Sequence, residues 1–333
     1  MKKILIIRLS SLGDIVLTQS AVKAVRDEFP DAKIHYLTKR VFSSIVEMFE
    51  CVDEIHYWEE KYTLLTNLRK LKFDLAIDLH SKLNTFLIKS FIKAKQTATY
   101  NKEHLLRRQI VKKKTDITIS STVGLYFTAL GRIGIKALFA EPRLFPKKNI
   151  KLPNILENEG HKKNIGIFPG ALHSTKQFPV EKLAEFIDSI PTEWNCKFII
   201  FGSKAERGLA EKLNYLTETI IVDICGELDL QQLVTAIDNM NVVISNDSGP
   251  MHIAAALQKP QIAIFGATHP KLGFAPLNKK AVILSADLKC QPCSLHGSKV
   301  CPLDHFNCMK QVSAVDILKT LKIMLKNSTH IEY

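Results

Sequence analysis

Apolar positions along this chain alternate between two spacings. Short β-branched runs, "KILIIR", "KIHYLT", "EIHYW" and "DLAIDLH", are separated by stretches with helical spacing, "IVLTQSAVKAVRDEF", "VFSSIVEMF" and "YTLLTNLRKL". Strand and helix periods in alternation predict right-handed βαβ units, and so a parallel sheet covered by helices on both faces. The pattern lapses from Lys102 to about Lys163, where the chain turns basic and irregular and carries Pro142, Pro146 and Pro153. That stretch reads as an interdomain linker.

A second series opens at "KNIGIFPG" and runs through "VEKLAEFIDSI", "KFIIFG", "KAERGLAEKLNYL", "TIIVDICG", "LQQLVTAIDNM", "VVISND", "MHIAAAL" and "QIAIFG" to the amphipathic "SAVDILKTLKIMLKN". The grammar repeats without detectable identity between the halves. Two doubly wound α/β domains facing one another across a cleft are expected, spanning residues 1–155 and 156–333, with the final helix packing back on the first.

Composition narrows the class. A chain of 333 residues, 46% hydrophobic and 24% charged, has enough apolar material for two cores and is not of disordered type. Its formal net charge of +13 favours anionic partners: phosphates, nucleic acid or a lipid headgroup layer. Six basic residues lie between Lys102 and Lys114, where Leu105, Leu106, Ile110 and Val111 can form one apolar face; the segment reads either as a solvated face or as an anion- or membrane-surface contact. Arg8 and Asp14 interrupt the apolar opening, so no export signal is read there, and no run is long enough to span a bilayer. A cytoplasmic protein is expected, peripheral to the inner membrane, with its seven cysteines reduced.

Ligands of open α/β sheets bind beyond the carboxyl ends of strands, where loops lead into helix N-termini. Four loops of this chain sit at such places. In "VVISNDSGPMHIAAAL", Asp247 and Ser248 read as caps or as ligands of an anion. Gly249 permits close backbone approach, Pro250 suits the first helical turn, and His252 lies about one turn in, a set suited to a diphosphate. In "IFPGALHSTKQFP", Gly170 marks the turn and Lys176 offers a mobile positive charge. Neither a P-loop order nor a G-x-G-x-x-G fingerprint is present, which weakens nucleotide triphosphatase and dehydrogenase readings. In the opening "RLSSLGDIV", Asp14 reads either as a helix cap or as a general base at the mouth of a cleft.

Together, "RLSSLGDIVLTQSAVKAVRDEFP", "DLHSKLNT", "PGA", "TKQFP" and "SNDSGPMHIAAALQKPQIAIFGATHP" resemble glycosyltransferase family 9, the lipopolysaccharide heptosyltransferases. The resemblance implies a GT-B fold and an inverting, metal-independent transfer of heptose from ADP-heptose to the phosphorylated inner core of lipopolysaccharide, with no cofactor required. It places the catalytic aspartate on Asp14 and the donor diphosphate on Lys176, together with Gly170, Ala171, Thr175, Asp247, Ser248, Gly249 and His252. Glu206 in "FGSKAERG" matches a ribose contact, and Leu228 borders the adenine by spacing. Arg8, Ser10, Ser11, His80 and Lys82 are the implied acceptor contacts. The chain departs from the family pattern at Phe178, where tryptophan is usual, at Ala171 and Leu172, where some members carry hydroxyls, and at Asn84, where arginine is common.

The fourth loop, "CQPCSLHGSKVCPLDHFNCM", carries Cys290, Cys293, Cys301 and Cys308, with His296 and His305 as substitutes, a set that reads as a structural zinc site, as free buried thiols or as an adventitious disulfide. Two other readings stand beside heptosyl transfer: a GT-B enzyme, transferase or epimerase, working on another nucleotide sugar, and a basic anion-binding protein without turnover. No aromatic-rich signature or recognition-helix motif supports nucleic-acid binding.

Overall fold

A computed structural model describes residues 1–113, 115–156 and 162–328; Lys114 of the basic run and residues 157–161 of the expected linker lie outside them. By its contacts the chain forms two units: Met1–His104 with Ile119–Phe145, and Leu105–Thr118 with Pro146–Tyr333. The boundary expected at residues 155 and 156 is therefore redrawn, because residues 105–118 belong with the second unit and the first continues to Phe145.

The first unit is built on five parallel strands: β1 (Lys3–Ile7), β2 (Lys33–Thr38), β3 (Glu54–Tyr57), β4 (Leu75–Asp78) and β5 (Gln96–Thr99), in the order β3-β2-β1-β4-β5. Strand β1 is central, which explains its continuous apolar run: Ile4, Leu5, Ile6 and Ile7 are all buried. The helix Leu12–Glu28 follows it, burying Ile15, Val16, Val22 and Val25. Pro30 stops it, since proline disfavours helical backbone at the residue before it, and Phe29 leaves the helical region.

The expected linker is not one. It contains the helices His104–Lys113 and Thr122–Gly131. Ser121 caps the second by accepting the Gly124 N–H, and Val123, Tyr126, Ala129 and Leu130 bury at helical spacing as it packs against Leu12–Glu28. In the first, Ile110 is buried but Leu105 is exposed, so the apolar face is narrower than its sequence suggested. Arg107 is buried there, its guanidinium 4.4 Å from the Phe274 ring centroid.

The second unit carries β6 (Lys163–Phe168), β7 (Cys196–Ile200), β8 (Ile221–Asp223), β9 (Val242–Asn246), β10 (Gln261–Phe265) and β11 (Ala281–Ser285), in the order β11-β10-β9-β6-β7-β8. All its pairings are parallel. Each sheet has one reversal of winding, between β1 and β4 and between β9 and β6. Loops leaving these strands are where an open α/β sheet places its ligands. The final helix, Ala314–Ser328, packs on the helix Val180–Asp188 and on β9, β10 and β11 of its own unit. Ile317 and Leu321 are its fully buried anchors. Among the described residues no helix is long and apolar enough to cross a membrane.

Truncating Leu321 removes apolar contacts from that core. Leu321→Ala should lower the urea unfolding midpoint by the equivalent of about 2–5 kcal/mol; an unchanged midpoint would show that the final helix is not part of the core.

Candidate active site

In the first unit the site begins at Arg8, one residue past the end of β1. Its guanidinium is buried, and every nitrogen is used. Nε donates to Ser10 O at 2.7 Å, Nη1 to Leu79 O and to the hydroxyls of Tyr126 at 3.2 Å and Tyr100 at 3.4 Å, and Nη2 pairs with Asp14 Oδ2. Burial opposes the charge, but the surrounding Tyr126, Asp14 and Tyr100 outweigh it and raise the guanidinium pKa. Arg8 was expected at the acceptor; it is instead buried beneath Asp14 and committed to it.

Asp14 is the third residue of the helix Leu12–Glu28, and Ser11 is the residue that caps it, so Asp14 is not the N-cap. The Ser11 hydroxyl donates to Asp14 Oδ2 at 2.9 Å and the Ser11 N–H to the same oxygen at 3.3 Å. Ser10 and Ser11, also expected at the acceptor, thus serve Arg8 and Asp14. The carboxylate lies in the positive field of the helix N-terminus with 24% of its side chain exposed.

Two further loops meet this one. Beyond β4, Asp78 is buried and accepts from the His80 and Ser81 N–H groups at 2.9 and 2.8 Å, with Lys89 Nζ 3.3 Å away. That turn presents Lys82 to solvent and buries His80, whose imidazole is pushed down to about 4 by burial, then by Arg8 and Lys82. Beyond β5, half-buried Lys102 is pushed down to about 8 by burial, then by the charges of Arg8 and Lys82. The sequence reading missed Tyr100 and Tyr126 and named Lys102 only as the start of a basic run. Their only signal was place: the first residues after β5, and a helix mistaken for linker.

In the second unit, the loops after β6, β9 and β10 converge on Asp247. Its Oδ2 lies 2.9 Å from Lys176 Nζ and accepts from the Thr268 hydroxyl at 2.6 Å. Buried Asn246 ties two of these loops together: its Nδ2 donates to Pro169 O at 2.8 Å and its Oδ1 accepts from the Phe178 N–H at 3.1 Å. Asn246 and Thr268 were not singled out in the sequence, although both stand inside the stretch "SNDSGPMHIAAALQKPQIAIFGATHP" that carries the resemblance. Ser248 occupies the N-cap of the helix Gly249–Ala256 but makes no side-chain capping bond; its hydroxyl donates to Asn246 O at 3.3 Å. The helix therefore opens with Pro250 in its first turn and buried His252 in its second half-turn.

Gly170 and Glu206 are in direct contact: a Cβ on Gly170 would lie 1.8 Å from Glu206 Oε1. Glu206 is also held by Ser203, whose N–H and hydroxyl donate to Oε2 at 2.7 and 2.8 Å. Ala171 is buried, its carbonyl accepting from Gln177 Nε2 at 2.8 Å. Thr175 departs from expectation. It is buried, and its hydroxyl exchanges hydrogen bonds of 2.8 Å with Ser298 O and N–H, so it braces the cysteine-bearing loop instead of lining the turn. Gly297 allows that loop to lie against Lys176, since at φ +94 a Cβ there would sit 2.9 Å from Lys176 Cδ. Leu228 is half-buried on the loop beyond β8, at the edge of the sheet.

Cys290, Cys293, Cys301 and Cys308 are free thiols. Burial first, then Cys293, Cys290 and Cys301, push Cys308 up to about 11. Cys290 Sγ lies 4.0 Å from His305 Nε2. Among the described residues these side chains do not bring three donor atoms within 4.8 Å of one another; the group that does is His35, Glu54 and His56.

Each unit is a doubly wound parallel sheet with polar loops gathered where its winding reverses, the Rossmann-like architecture of GT-B enzymes. The E. coli ADP-heptose lipopolysaccharide heptosyltransferase II has this fold, with a TM-score of 0.78 at 21% identity over 99% of this chain and 100% of that one. E. coli heptosyltransferase WaaC with ADP superposes with a TM-score of 0.71 at 15% identity, over 97% and 99% of the two chains. A Campylobacter jejuni lipooligosaccharide heptosyltransferase 2 is 28% identical over 325 residues, 95% of this chain and 96% of its own length. Residues 62–304 match the family model for glycosyltransferase family 9 (heptosyltransferase), well over half of the chain. The protein belongs to that family. Asp14 precedes the matched stretch.

His80 supplies a pH test of the first unit. Its folded pKa of about 4 lies below the ordinary 6.5, so the unfolded chain binds the extra proton first. Stability from this group is complete above pH 6.5 and is lost as pH falls toward 4. Urea midpoints at pH 7 and pH 5 should differ less in His80→Gln than in the wild type; identical differences would show that His80 is not buried as a neutral ring.

Proposed function

We propose that this glycosyltransferase moves heptose from ADP-heptose to the inner core of lipopolysaccharide, with inversion at the anomeric carbon and Asp14 as general base. The observation that carries the reading is the Asp14 carboxylate, fixed from beneath by a fully satisfied buried arginine yet one-quarter exposed at the end of β1. A carboxylate so placed has little freedom to turn, and the transfer needs a base held in one geometry.

In the proposed reaction the acceptor hydroxyl attacks the anomeric carbon as its proton passes to Asp14. The bond from that carbon to the diphosphate breaks, and its electron pair leaves with ADP. Lys176 exchanges Asp247 for the departing diphosphate, and Ser248 with the first N–H groups of Gly249–Ala256 meets the remaining charge. Asp247 keeps Thr268 throughout. The neighbouring carboxylate on the first sheet, Asp78, is buried and occupied by His80, Ser81 and Lys89, which leaves one base and therefore a single inverting displacement. Gly170 with Glu206 faces the donor ribose. Lys82 and Lys102 read the anionic groups of the acceptor.

The acceptor is a glycolipid, and the reading places the enzyme at the cytoplasmic surface of the inner membrane. Support comes from the net charge of +13 and from Leu83, Phe86 and Leu87, 72%, 60% and 56% exposed on the helix Leu83–Ile92. The direct test is mass detection of product from ADP-heptose and truncated core acceptors. Transfer from another nucleotide sugar in preference to ADP-heptose would refute the donor assignment.

Asp14→Asn should lower transfer by roughly 10²–10⁴-fold while calorimetric binding of ADP stays as in the wild type. Near-normal turnover would remove Asp14 as the base. Lys102 loses its charge as pH rises through about 8, so the acceptor KM should climb above that pH. Lys102→Arg, whose charge persists, should flatten the climb; a variant with the wild-type profile would show that Lys102 does not read the acceptor.

A further inference from the structure

On the opposite side of the first sheet's order from β5, the edge strand β3 carries a second group of chemically competent side chains. His35 of β2 pairs in register with Glu54 of β3, and His56 lies two residues on, so the three share one face of the sheet. His35 Nδ1 and His56 Nε2 are 2.9 Å apart, and the Glu54 carboxylate oxygens lie 3.6 Å from each of them. We propose that His35, Glu54 and His56 bind one divalent transition-metal ion, Zn2+ in character, which pins the edge strand β3 to β2.

Three observations carry this. The first is spacing: ligands of a tetrahedral ion bonded at about 2.1 Å are roughly 3.4 Å apart, and the three separations fall on either side of that value. The second is an unmet demand. A single N–H shared between the rings satisfies the 2.9 Å contact alone and leaves the carboxylate beyond hydrogen-bond reach of both nitrogens, whereas a cation between them engages all three donors. His35 is fully buried and its Nε2 has no hydrogen-bond partner, so Nδ1 is the ring's one polar outlet. The third is orientation. Lys33 Nζ holds Glu54 Oε2 at 2.8 Å, an outer contact that aims the carboxylate and leaves Oε1 toward His56.

The chemistry of the donor set chooses the ion. Two imidazoles and one carboxylate suit Zn2+, Ni2+ or Cu2+ over Mg2+ and Ca2+, which prefer oxygen alone. With Glu54 40% and His56 13% exposed, an ion and a completing water enter from solvent. None of this depends on the transfer reaction.

The full chain, stripped with chelator and dialysed, should bind one equivalent of Co2+ with weak visible bands and no intense near-ultraviolet thiolate band. Saturating Zn2+ should raise the Tm, on the order of 5 °C. His56→Ala and Glu54→Gln should each weaken binding about tenfold or more, the exposed Glu54 serving should His56→Ala fail to fold. Cys290→Ser combined with Cys293→Ser should change nothing. Absence of binding at about 100 µM Co2+ would overturn the proposal. So would an intense thiolate band, or binding that survives both His56→Ala and Glu54→Gln.

Discussion

Burying a guanidinium is costly unless each of its N–H groups and its charge are met, and at Arg8 that requirement organises one end of the first sheet. The partners come from four places: Ser10 and Asp14 after β1, Leu79 after β4, Tyr100 after β5, and Tyr126 from the helix Thr122–Gly131. Displacing Ser10 or Asp14 strands a buried donor. The loops are therefore set by a demand internal to the protein, and Asp14, the one partner side chain that is not buried, inherits a fixed position from it. In the proposed function, a side chain that looks in sequence like a ligand contact is instead the support on which the proposed base is mounted.

The second unit uses the reverse arrangement, with an acid at its centre. Asp247 gathers Lys176 and Thr268 from the loops on either side, and Asn246 beside it locks the β6 loop to the end of β9. In the proposed reaction Lys176 is thereby held before the donor arrives, and exchanging one anion for another costs less reorganisation than recruiting a mobile lysine from solvent. The same economy explains why Thr175 faces away: it anchors the loop that covers Lys176.

Much of this was legible in the sequence because buried parallel strands are written as continuous apolar runs. β1, β6, β9 and β10 read directly, and the loops that follow them carry Asp14, Lys176 and Asp247. The strands that escaped are the edges β5 and β11. "QTAT" is polar and half-exposed, and β11 leaves Val282 and Ile283 partly in solvent, so neither shows a buried period. The helix Thr122–Gly131 was lost because its two glycines and β-branched residues have weak helical propensity; packing on Leu12–Glu28 supplies what propensity does not. Residue partners were the least legible. The family resemblance marks Arg8, Ser10 and Ser11 as acceptor contacts, but only the structure shows that Arg8 and Ser11 hold Asp14 and that Ser10 holds Arg8. Nothing in the linear pattern joins His35 to His56, whose 21-residue separation closes only through the β2–β3 register.

The central claim is that Arg8 acts on transfer through Asp14 and not through a substrate. A double-mutant cycle measures this directly, with transfer rates for Arg8→Met, Asp14→Asn and the combined variant, each shown to be folded by circular dichroism. The account predicts that Arg8→Met alone costs about tenfold or more, while the combined variant is no slower than Asp14→Asn within a factor of about three. Losses that multiply in the combined variant would contradict it.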